Sequence, residues 1–223
     1  MRIALFGGTF DPIHSGHVRA AKAAARKFRL DRILFVPSGR PPHKVKDRLT
    51  PFPHRYAMVT LACAEDPRFV ASLLESPTWD ARPRYSVDTV RAAKRRLGWG
   101  DELFFLIGVD AFLDLPQWKD YRRLLDSVNF IVVSRPGFDL AEIAKTIPSD
   151  LLGKPPRRKP LNTLRMRSTS LQLLEGIDVA IASRDIREAI AAGRPVTGLV
   201  PPLVEEYIRK EGLYRRAPRG REK

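Results

Sequence analysis

The sequence predicts an α/β fold: a doubly wound, mostly parallel sheet with a helical C-terminal part. Short apolar runs alternate along the chain with segments of helical periodicity, which is typical of strand–helix–strand units. Within the runs, apolar residues do not alternate with polar ones, as expected for strands that are covered on both faces. The first run ends in Gly7-Gly8, at the strand end where open α/β sheets bind ligands.

Five apolar runs predict five strands, and a helical pattern follows the first of them. The predicted strands are Ile3–Phe6, Ile33–Val36, Phe69–Ala71, Leu103–Ile107 and Val128–Val133. After the first strand, Val18, Ala21, Ala25 and Phe28 recur at the spacing of one helix face. Because strands and helices alternate, we expect right-handed crossovers between parallel neighbours.

Four further helices are predicted from residues that commonly begin or end a helix. Thr50, Ser86 and Ser183 are expected to cap three of them, and the later two span Asp185–Ala192 and Pro202–Glu211. A glycine follows each of the two later segments, which is typical of a helix end. The helix after Thr50 should bury one apolar face, formed by Phe52, Tyr56, Val59 and Cys63.

Composition indicates a globular protein. The chain has 223 residues, of which 43% are apolar and 29% charged, and these fractions exclude wholesale disorder. Its one cysteine, Cys63, excludes an internal disulfide framework and a multi-thiolate metal site. No apolar stretch approaches the roughly 18 residues of a membrane span, and no secretory signal is visible. We therefore expect a cytoplasmic protein with one domain over residues 1–214 and a disordered basic tail over 215–223.

The net charge of +15 is concentrated in two segments. Six basic residues and no acid lie between Lys154 and Arg167, and five basic residues with one acid lie between Arg215 and Lys223. Such runs are commonly solvated surface. They also attract polyanions, either nucleic acid or a nucleoside triphosphate, and net charge alone does not choose between these interpretations.

The segment GGTFDPIHSGH, residues 7–17, carries the chemistry of this sequence. Gly7 and Gly8 allow a ligand to approach the backbone closely, and the opening N–H groups of the next helix attract phosphate. His14 and His17 are three residues apart, so both can face one side, and Gly16 leaves room between them. Imidazoles placed there can donate hydrogen bonds to phosphate oxygens, and more strongly if they are protonated.

Other interpretations of this segment are weaker. Its glycine spacing is not the dinucleotide fingerprint, and no G-K-[ST] follows as in a P-loop. A His-x-x-His pair can ligate zinc, but a third protein ligand is missing nearby. A purely structural role in capping and packing does not explain two histidines, three glycines and an Asp-Pro turn within eleven residues.

GGTFDPIHSGH resembles the signature of the H-x-G-H nucleotidyltransferase superfamily, and the whole chain resembles the bacterial nicotinate-nucleotide adenylyltransferase family within it. Five further segments match that family in order, from Arg2 to Tyr214. They are Pro41-Pro42-His43-Lys44, Tyr85-Ser86-Val87-Asp88-Thr89, Ile107-Gly108-Val109-Asp110 with Trp118, Arg135-Pro136-Gly137, and Leu199-Val200-Pro201 through Tyr214. H-x-G-H alone indicates only the superfamily, whereas the ordered set is far more specific.

The resemblance implies the Rossmann-like nucleotidyltransferase fold and transfer of an adenylyl group from ATP to the 5′-phosphate of nicotinate mononucleotide, with Mg²⁺ accompanying the ATP. It implies catalytic roles for His14, His17, Lys44 and Arg187. The implied ATP contacts are Gly7, Gly8, Thr9, Phe10, His14, Gly16, His17, Lys44, Arg135, Ser183 and Arg187. The implied mononucleotide contacts are Tyr85, Ser86, Asp110 and Trp118. No dedicated carboxylate cage for a metal is visible, and Asp11 is not assigned as a metal ligand.

One segment departs from the family pattern I-S-S-T-x-I-R. Here it is Ile181-Ala182-Ser183-Arg184-Asp185-Ile186-Arg187, so the hydroxyl expected at position 184 is missing. This puts one contact to the ATP phosphates in doubt, although the guanidinium of Arg184 offers a charge-assisted alternative.

Alternative functions remain open at this point. The same chemistry on nicotinamide mononucleotide or phosphopantetheine would change only the acceptor. An RNA-binding module using the two basic segments belongs to another class, but those segments lack the interleaved aromatic residues that stack on bases. The sequence therefore favours small-molecule substrates over nucleic acid or a membrane, and it does not determine the oligomeric state.

Overall fold

The computed structural model describes residues 1–39, 49–77, 84–134, 140–153, 162–177 and 181–215. Lys44 and Arg135, with the motifs that carry them, lie outside the described residues, as does the tail from residue 216 onwards. In the described part of the chain, no helix is both long and apolar enough to cross a membrane.

The described residues form a seven-stranded sheet. Its strands are β1 (Arg2–Gly8), β2 (Arg32–Pro37), β3 (Phe69–Ala71), β4 (Glu102–Gly108), β5 (Asn129–Val133), β6 (Thr163–Arg165) and β7 (Ser170–Leu174). Their order across the sheet is β3-β2-β1-β4-β5-β7-β6. All neighbouring strands are parallel except β6 and β7, which pair antiparallel at one edge. The five predicted strands are confirmed in order and type, and their ends differ from the predicted ends by at most two residues.

Helices cover both faces of the sheet, as the continuous apolar strands predict. In β1, Ala4 and Phe6 pack into the core on one face, whereas Ile3 and Leu5 pack into the core on the other. The helices are α1 (Ser15–Lys27), α2 (Phe52–Cys63), α3 (Ser86–Lys94), α4 (Val109–Leu113), α5 (Tyr121–Leu125), α6 (Leu140–Lys145), α7 (Ser183–Ala191) and α8 (Pro202–Lys210). Helices α1, α2, α7 and α8 contribute buried side chains to the first core, and α3 to α6 contribute to the second.

The inner face predicted for α2 is wrong in part. The buried residues of this helix are Arg55, Met58, Val59 and Ala62, whereas Phe52, Tyr56 and Cys63 are only half-buried. Hydropathy alone would place an arginine outside. The reason for its burial is that its guanidinium finds two backbone carbonyls inside the protein.

The predicted helix caps are also wrong. Helix α2 begins after Pro51, α3 after Tyr85 and α7 after Ala182, and none of these three residues makes a side-chain cap hydrogen bond. Ser86 and Ser183 are instead the first residues of their helices. The first-turn N–H groups of α3 therefore donate to no capping side chain, which leaves them suited to a ligand.

Candidate active site

A cavity of about 770 Å³ opens at the carboxyl ends of the central strands β1 and β4. The chain reverses its direction across the sheet between these two strands, because β2 and β3 lie to one side of β1 and β4 and β5 to the other. Such a switch point is the usual binding crevice of open α/β sheets. The cavity volume lies in the range of small-molecule sites.

Most of the candidate residues that the structure describes line this one cavity. They are Gly7, Gly8, Thr9, His14, Gly16 and His17 from the first motif, and Tyr85, Ser86, Asp110 and Trp118 from the later motifs. Phe10, Ser183 and Arg187 do not line it. Segments that are far apart in the sequence thus meet at one place, with the glycine–histidine motif on one wall and the aromatic motifs on another.

The side chains of His14 and His17 stack on each other at the start of α1. Their ring centroids are 3.7 Å apart and the ring planes are inclined by 25°. The backbone N–H of His17 donates to Nδ1 of His14 at 3.4 Å, and the backbone N–H of His14 donates to Nδ1 of His17 at 3.3 Å. This reciprocal capping box fixes both rings relative to the helix.

Both imidazoles are neutral at physiological pH. Burial, assisted by the charge of Arg19, lowers the pKa of His14 to about 4. Burial, assisted by the neighbouring His14, also holds the pKa of His17 well below its usual range. Since Nδ1 of each ring accepts a backbone hydrogen bond, the single proton of each neutral ring lies on Nε2. The pair therefore presents two N–H donors whose tautomers are set by the backbone.

Packing around the histidine pair leaves little freedom for either ring. The ring of His17 packs edge-on against the rings of Phe10 and Phe6, with centroid distances of 5.1 Å and 5.8 Å. Phe10 itself is buried in the core beneath His17. A Cβ atom on Gly16 would lie 3.0 Å from Nδ1 of His14, so only glycine fits there without displacing that ring. The requirement for glycine between the histidines is therefore steric.

The opposite wall of the cavity is built by the start of α3 and by the segment after α4. Trp118 is partly buried and meets Phe105 edge-on, with the ring centroids 6.5 Å apart. Nζ of Lys119 lies 4.4 Å from the centroid of the Tyr85 ring. With the open first turn of α3, these groups form an end of the cavity that suits a flat, negatively charged ring.

Glu75 is a cavity residue that sequence reasoning missed. It lies in the turn after β3, is 9% exposed, and its Oε1 accepts a hydrogen bond of 2.7 Å from the Thr89 hydroxyl. Burial raises the pKa of Glu75 to about 7, although the Thr89 hydrogen bond and the charge of Arg84 act in the opposite direction. A single acid after an apolar segment belongs to no motif, and only its contact with α3 places it at the site.

We expect Glu75→Gln to change how stability depends on pH. Between pH 4.5 and about pH 7, the folded wild type keeps a proton that the unfolded chain releases, so its free energy of unfolding falls as pH rises. The glutamine variant has no such proton to lose, so its free energy of unfolding should rise by on the order of 3 kcal/mol relative to that of wild type across this interval.

Denaturant unfolding of both proteins near the two ends of that interval measures the difference. The buried histidines act in the opposite direction, because their lowered pKa values make stability fall as pH falls, but they act equally in both proteins. Parallel pH profiles for variant and wild type would contradict a protonated Glu75.

Ser183 and Arg187 contact the loop before the histidines instead of lining the cavity. The Ser183 hydroxyl donates to the carbonyl of Pro12 at 2.9 Å, and Nη1 of Arg187 donates to the carbonyl of Asp11 at 2.7 Å. Arg184 is exposed, and its Nε lies 3.7 Å from a carboxylate oxygen of both Asp185 and Glu188.

Residues 5–189, which span nearly all of the mostly parallel sheet and the paired histidines at its switch point, match the Cytidylyltransferase-like family model, so the chain is a nucleotidyltransferase of that class. The chain is 44% identical over 215 residues to the probable nicotinate-nucleotide adenylyltransferase of Thermus thermophilus, covering 96% of this chain and 100% of that protein. It is 40% identical over 217 residues to the one from Geobacter sulfurreducens, covering 96% and 98%. The chain therefore belongs to the nicotinate-nucleotide adenylyltransferase family.

Solved structures share the fold at lower identity. The Plasmodium falciparum nicotinic acid mononucleotide adenylyltransferase complexed with NaAD matches with a TM-score of 0.72 and 19% identity, covering 96% of this chain and 97% of that one. The same enzyme complexed with APC matches with a TM-score of 0.70, covering 96% of each chain. The predicted fold class is thus confirmed by topology and by these neighbours.

Proposed function

We propose that this protein transfers the adenylyl group of ATP to the 5′-phosphate of nicotinate mononucleotide, giving nicotinate adenine dinucleotide and pyrophosphate. One observation carries the proposal: His14, His17, Tyr85 and Trp118 all line a single cavity. The two histidines suit the phosphates of ATP, and the two aromatic residues on the other wall suit a pyridine ring. The names of the relatives at about 40% identity support this choice of acceptor. So does the fold shared with a structure that holds NaAD.

The chemistry requires alignment more than proton transfer. A phosphate oxygen of the mononucleotide attacks the α-phosphorus of ATP, and the bond from that phosphorus to the bridging oxygen of pyrophosphate breaks. The nucleophile is already an anion at neutral pH, so no general base is needed. The Nε2–H groups of His14 and His17 donate to the phosphates, and their hydrogen bonds strengthen as negative charge moves onto the leaving group.

The start of α3 is proposed to distinguish nicotinate mononucleotide from nicotinamide mononucleotide. The N–H groups of Tyr85 and Ser86 hold the nicotinate carboxylate, because no capping side chain of α3 occupies them. Lys119 adds positive charge close to this end, above the Tyr85 ring. Trp118 stacks on the pyridine ring, and Asp110, which follows the end of β4, binds the sugar.

The remaining ATP contacts are proposed from the sequence motifs. Arg187 uses one donor on the Asp11 carbonyl, and its guanidinium carries others that can meet the triphosphate. Ser183 is one turn away on the same helix. Lys44 and Arg135 complete the set, on segments outside the described residues.

Mg²⁺ belongs to this proposal as part of the ATP substrate. Among the described residues, no group of three or more histidine, cysteine, aspartate or glutamate side chains is arranged to hold a metal ion. The ion is therefore expected to arrive on the phosphate oxygens of ATP, where it offsets their charge.

One assay tests the proposal directly. Purified protein, ATP and Mg²⁺ are offered nicotinate mononucleotide or nicotinamide mononucleotide in parallel, and the dinucleotide is identified by mass. We expect a dinucleotide and pyrophosphate with the acid, and much less product with the amide. Equal turnover with both acceptors would contradict the anion site at α3, and release of pyrophosphate with neither would contradict the proposed function.

Gly16→Ala is expected to lower kcat by about tenfold, since the new methyl group would lie 3.0 Å from Nδ1 and 3.1 Å from Cε1 of His14 and displace that ring. Steady-state kinetics measure the effect. Gly98→Ala is the matched control, because its Cβ would meet only Asp101, at an ordinary 3.5 Å. If the two variants turn over equally fast, the position of the His14 ring is not critical.

A further inference from the structure

The loop from Thr9 to Ile13 leads directly into the histidine pair, and its backbone is held in an unusual conformation. Phe10 has φ of +50°, in the left-handed region that residues with a bulky side chain rarely adopt. Its ring is nevertheless buried under His17. A conformation of this kind persists only where the surroundings determine it, so the contacts around the loop are informative.

Asp11 is the centre of these contacts, although it is not part of the cavity wall. The residue is buried, and both of its carboxylate oxygens accept hydrogen bonds from distant parts of the chain. The hydroxyl of Tyr214 donates to Oδ1 at 2.7 Å, and the backbone N–H of Thr50 donates to Oδ2 at 3.2 Å. The carboxylate thus ties the loop to the residues after α8 and to those before α2.

Arg55 is a second buried residue whose side chain binds this loop. Its side chain is 2% exposed, its Nη1 donates to the carbonyl of Thr9 at 2.8 Å, and its Nε donates to the carbonyl of Thr50 at 2.9 Å. Burial lowers the pKa of Arg55, and the nearby charge of Asp11 opposes that shift. A buried guanidinium with these partners fixes two backbone segments relative to each other.

Helix α7 supplies further contacts to the loop. Ser183 and Arg187 donate to the carbonyls of Pro12 and Asp11, as described above. The loop is therefore bonded by side chains from α2, α7 and the segment after α8, all of them outside its own strand and helix. None of these partners is close to the loop in sequence, and the Tyr214 contact spans 203 residues.

We propose that Asp11, Arg55 and Tyr214 are positioning residues for adenylyl transfer: together they hold the loop that sets the rings of His14 and His17 against the phosphates. The inference rests on the proposed function and deepens it, since none of the three side chains lines the cavity. Their effect passes through the backbone of the loop into the two donors.

The Tyr214→Phe variant tests this positioning role, because it removes only the hydroxyl that donates to Asp11. We expect kcat to fall about tenfold, because small displacements of aligned groups cost rate steeply, while the KM for nicotinate mononucleotide stays within about twofold. Tyr207→Phe is the matched control: it removes a hydroxyl that lies 2.8 Å from Nδ1 of His54, on the same side of the molecule but away from the loop. The control should keep the wild-type kcat even if its melting temperature falls as far.

A second variant, Asp11→Ala, removes the acceptor of this hydrogen bond and carries the same test if Tyr214→Phe does not fold. We expect the double variant to be no slower than Asp11→Ala alone, because both changes remove the same hydrogen bond. Equal kcat for the two tyrosine variants, or multiplying losses in the double variant, would overturn the inference.

Failure of the inference is distinguishable from failure of the proposed function. If wild type transfers no adenylyl group, the proposed function fails, and calorimetric binding of ATP becomes the readout. Tyr214→Phe should then bind ATP about tenfold more weakly than Tyr207→Phe, since the donors it misplaces are the ATP-facing ones. Equal ATP affinity for the two variants would overturn the positioning role.

Discussion

Replacing His17 by alanine is expected to lower kcat by about 10²–10³-fold, the usual cost of losing one preorganised donor to a developing negative charge. The KM for nicotinate mononucleotide should change little, because His17 lies on the wall proposed to bind the phosphates of ATP, whereas Trp118 lies on the wall proposed to bind the pyridine ring. The variant also loses half of the capping box, so we expect a modest loss of stability of about 1 kcal/mol. Steady-state kinetics and thermal unfolding separate the two effects.

His54→Ala is the control for this experiment. His54 also lies on a helix with a hydrogen-bonded ring, to the hydroxyl of Tyr207 at 2.8 Å, but it is not a cavity residue. It should lose some stability and keep its turnover. Unchanged turnover in His17→Ala would mean that this imidazole is a packing group, and the proposed role of the pair would be wrong.

Trp118→Ala is expected to raise the KM for the mononucleotide by about tenfold while kcat stays within about threefold. An indole stacked on a flat ring contributes about 0.5–1.5 kcal/mol beyond the area that it buries, and a tenfold change corresponds to about 1.4 kcal/mol. The KM for ATP should not change, because the proposal places ATP at the wall that carries His14 and His17. Varying each substrate in turn measures the split.

Trp99→Ala provides the comparison, since Trp99 is fully exposed in the turn before β4. It should behave as wild type in every parameter. If Trp118→Ala instead unfolds the protein, or raises both KM values equally, then its contact with Phe105 makes it a core residue and the stacking role is wrong.

Part of the site could be predicted because its signals are local. The glycine pair, the two histidines and Gly16 lie within one strand–helix connection, where backbone geometry alone brings them together. Trp118 and Tyr85 were found only through the resemblance of the ordered motifs. Local reasoning failed where polar groups are satisfied by remote partners: it placed the cap of α7 at Ser183, whose hydroxyl bonds Pro12 instead.

The edge of the sheet was missed for a related reason. Strands β6 and β7 form an antiparallel pair in a region that the sequence predicts as mainly helical. Their segments are short, and one is only three residues long, so hydropathy gives little signal. Their pairing with each other and with β5 stabilises them, and that information is not contained in either segment alone.

Much of the secondary structure of this chain follows from its sequence alone. Continuous apolar runs favour strands buried on both faces, and a strand that ends in glycines before a helix favours a turn suited to phosphate. Only the tertiary structure decided the neutral state of the histidines, the burial of Arg55 and the bond between Asp11 and Tyr214. These depend on burial and on hydrogen-bond partners that folding brings together from distant parts of the chain, which no local pattern specifies.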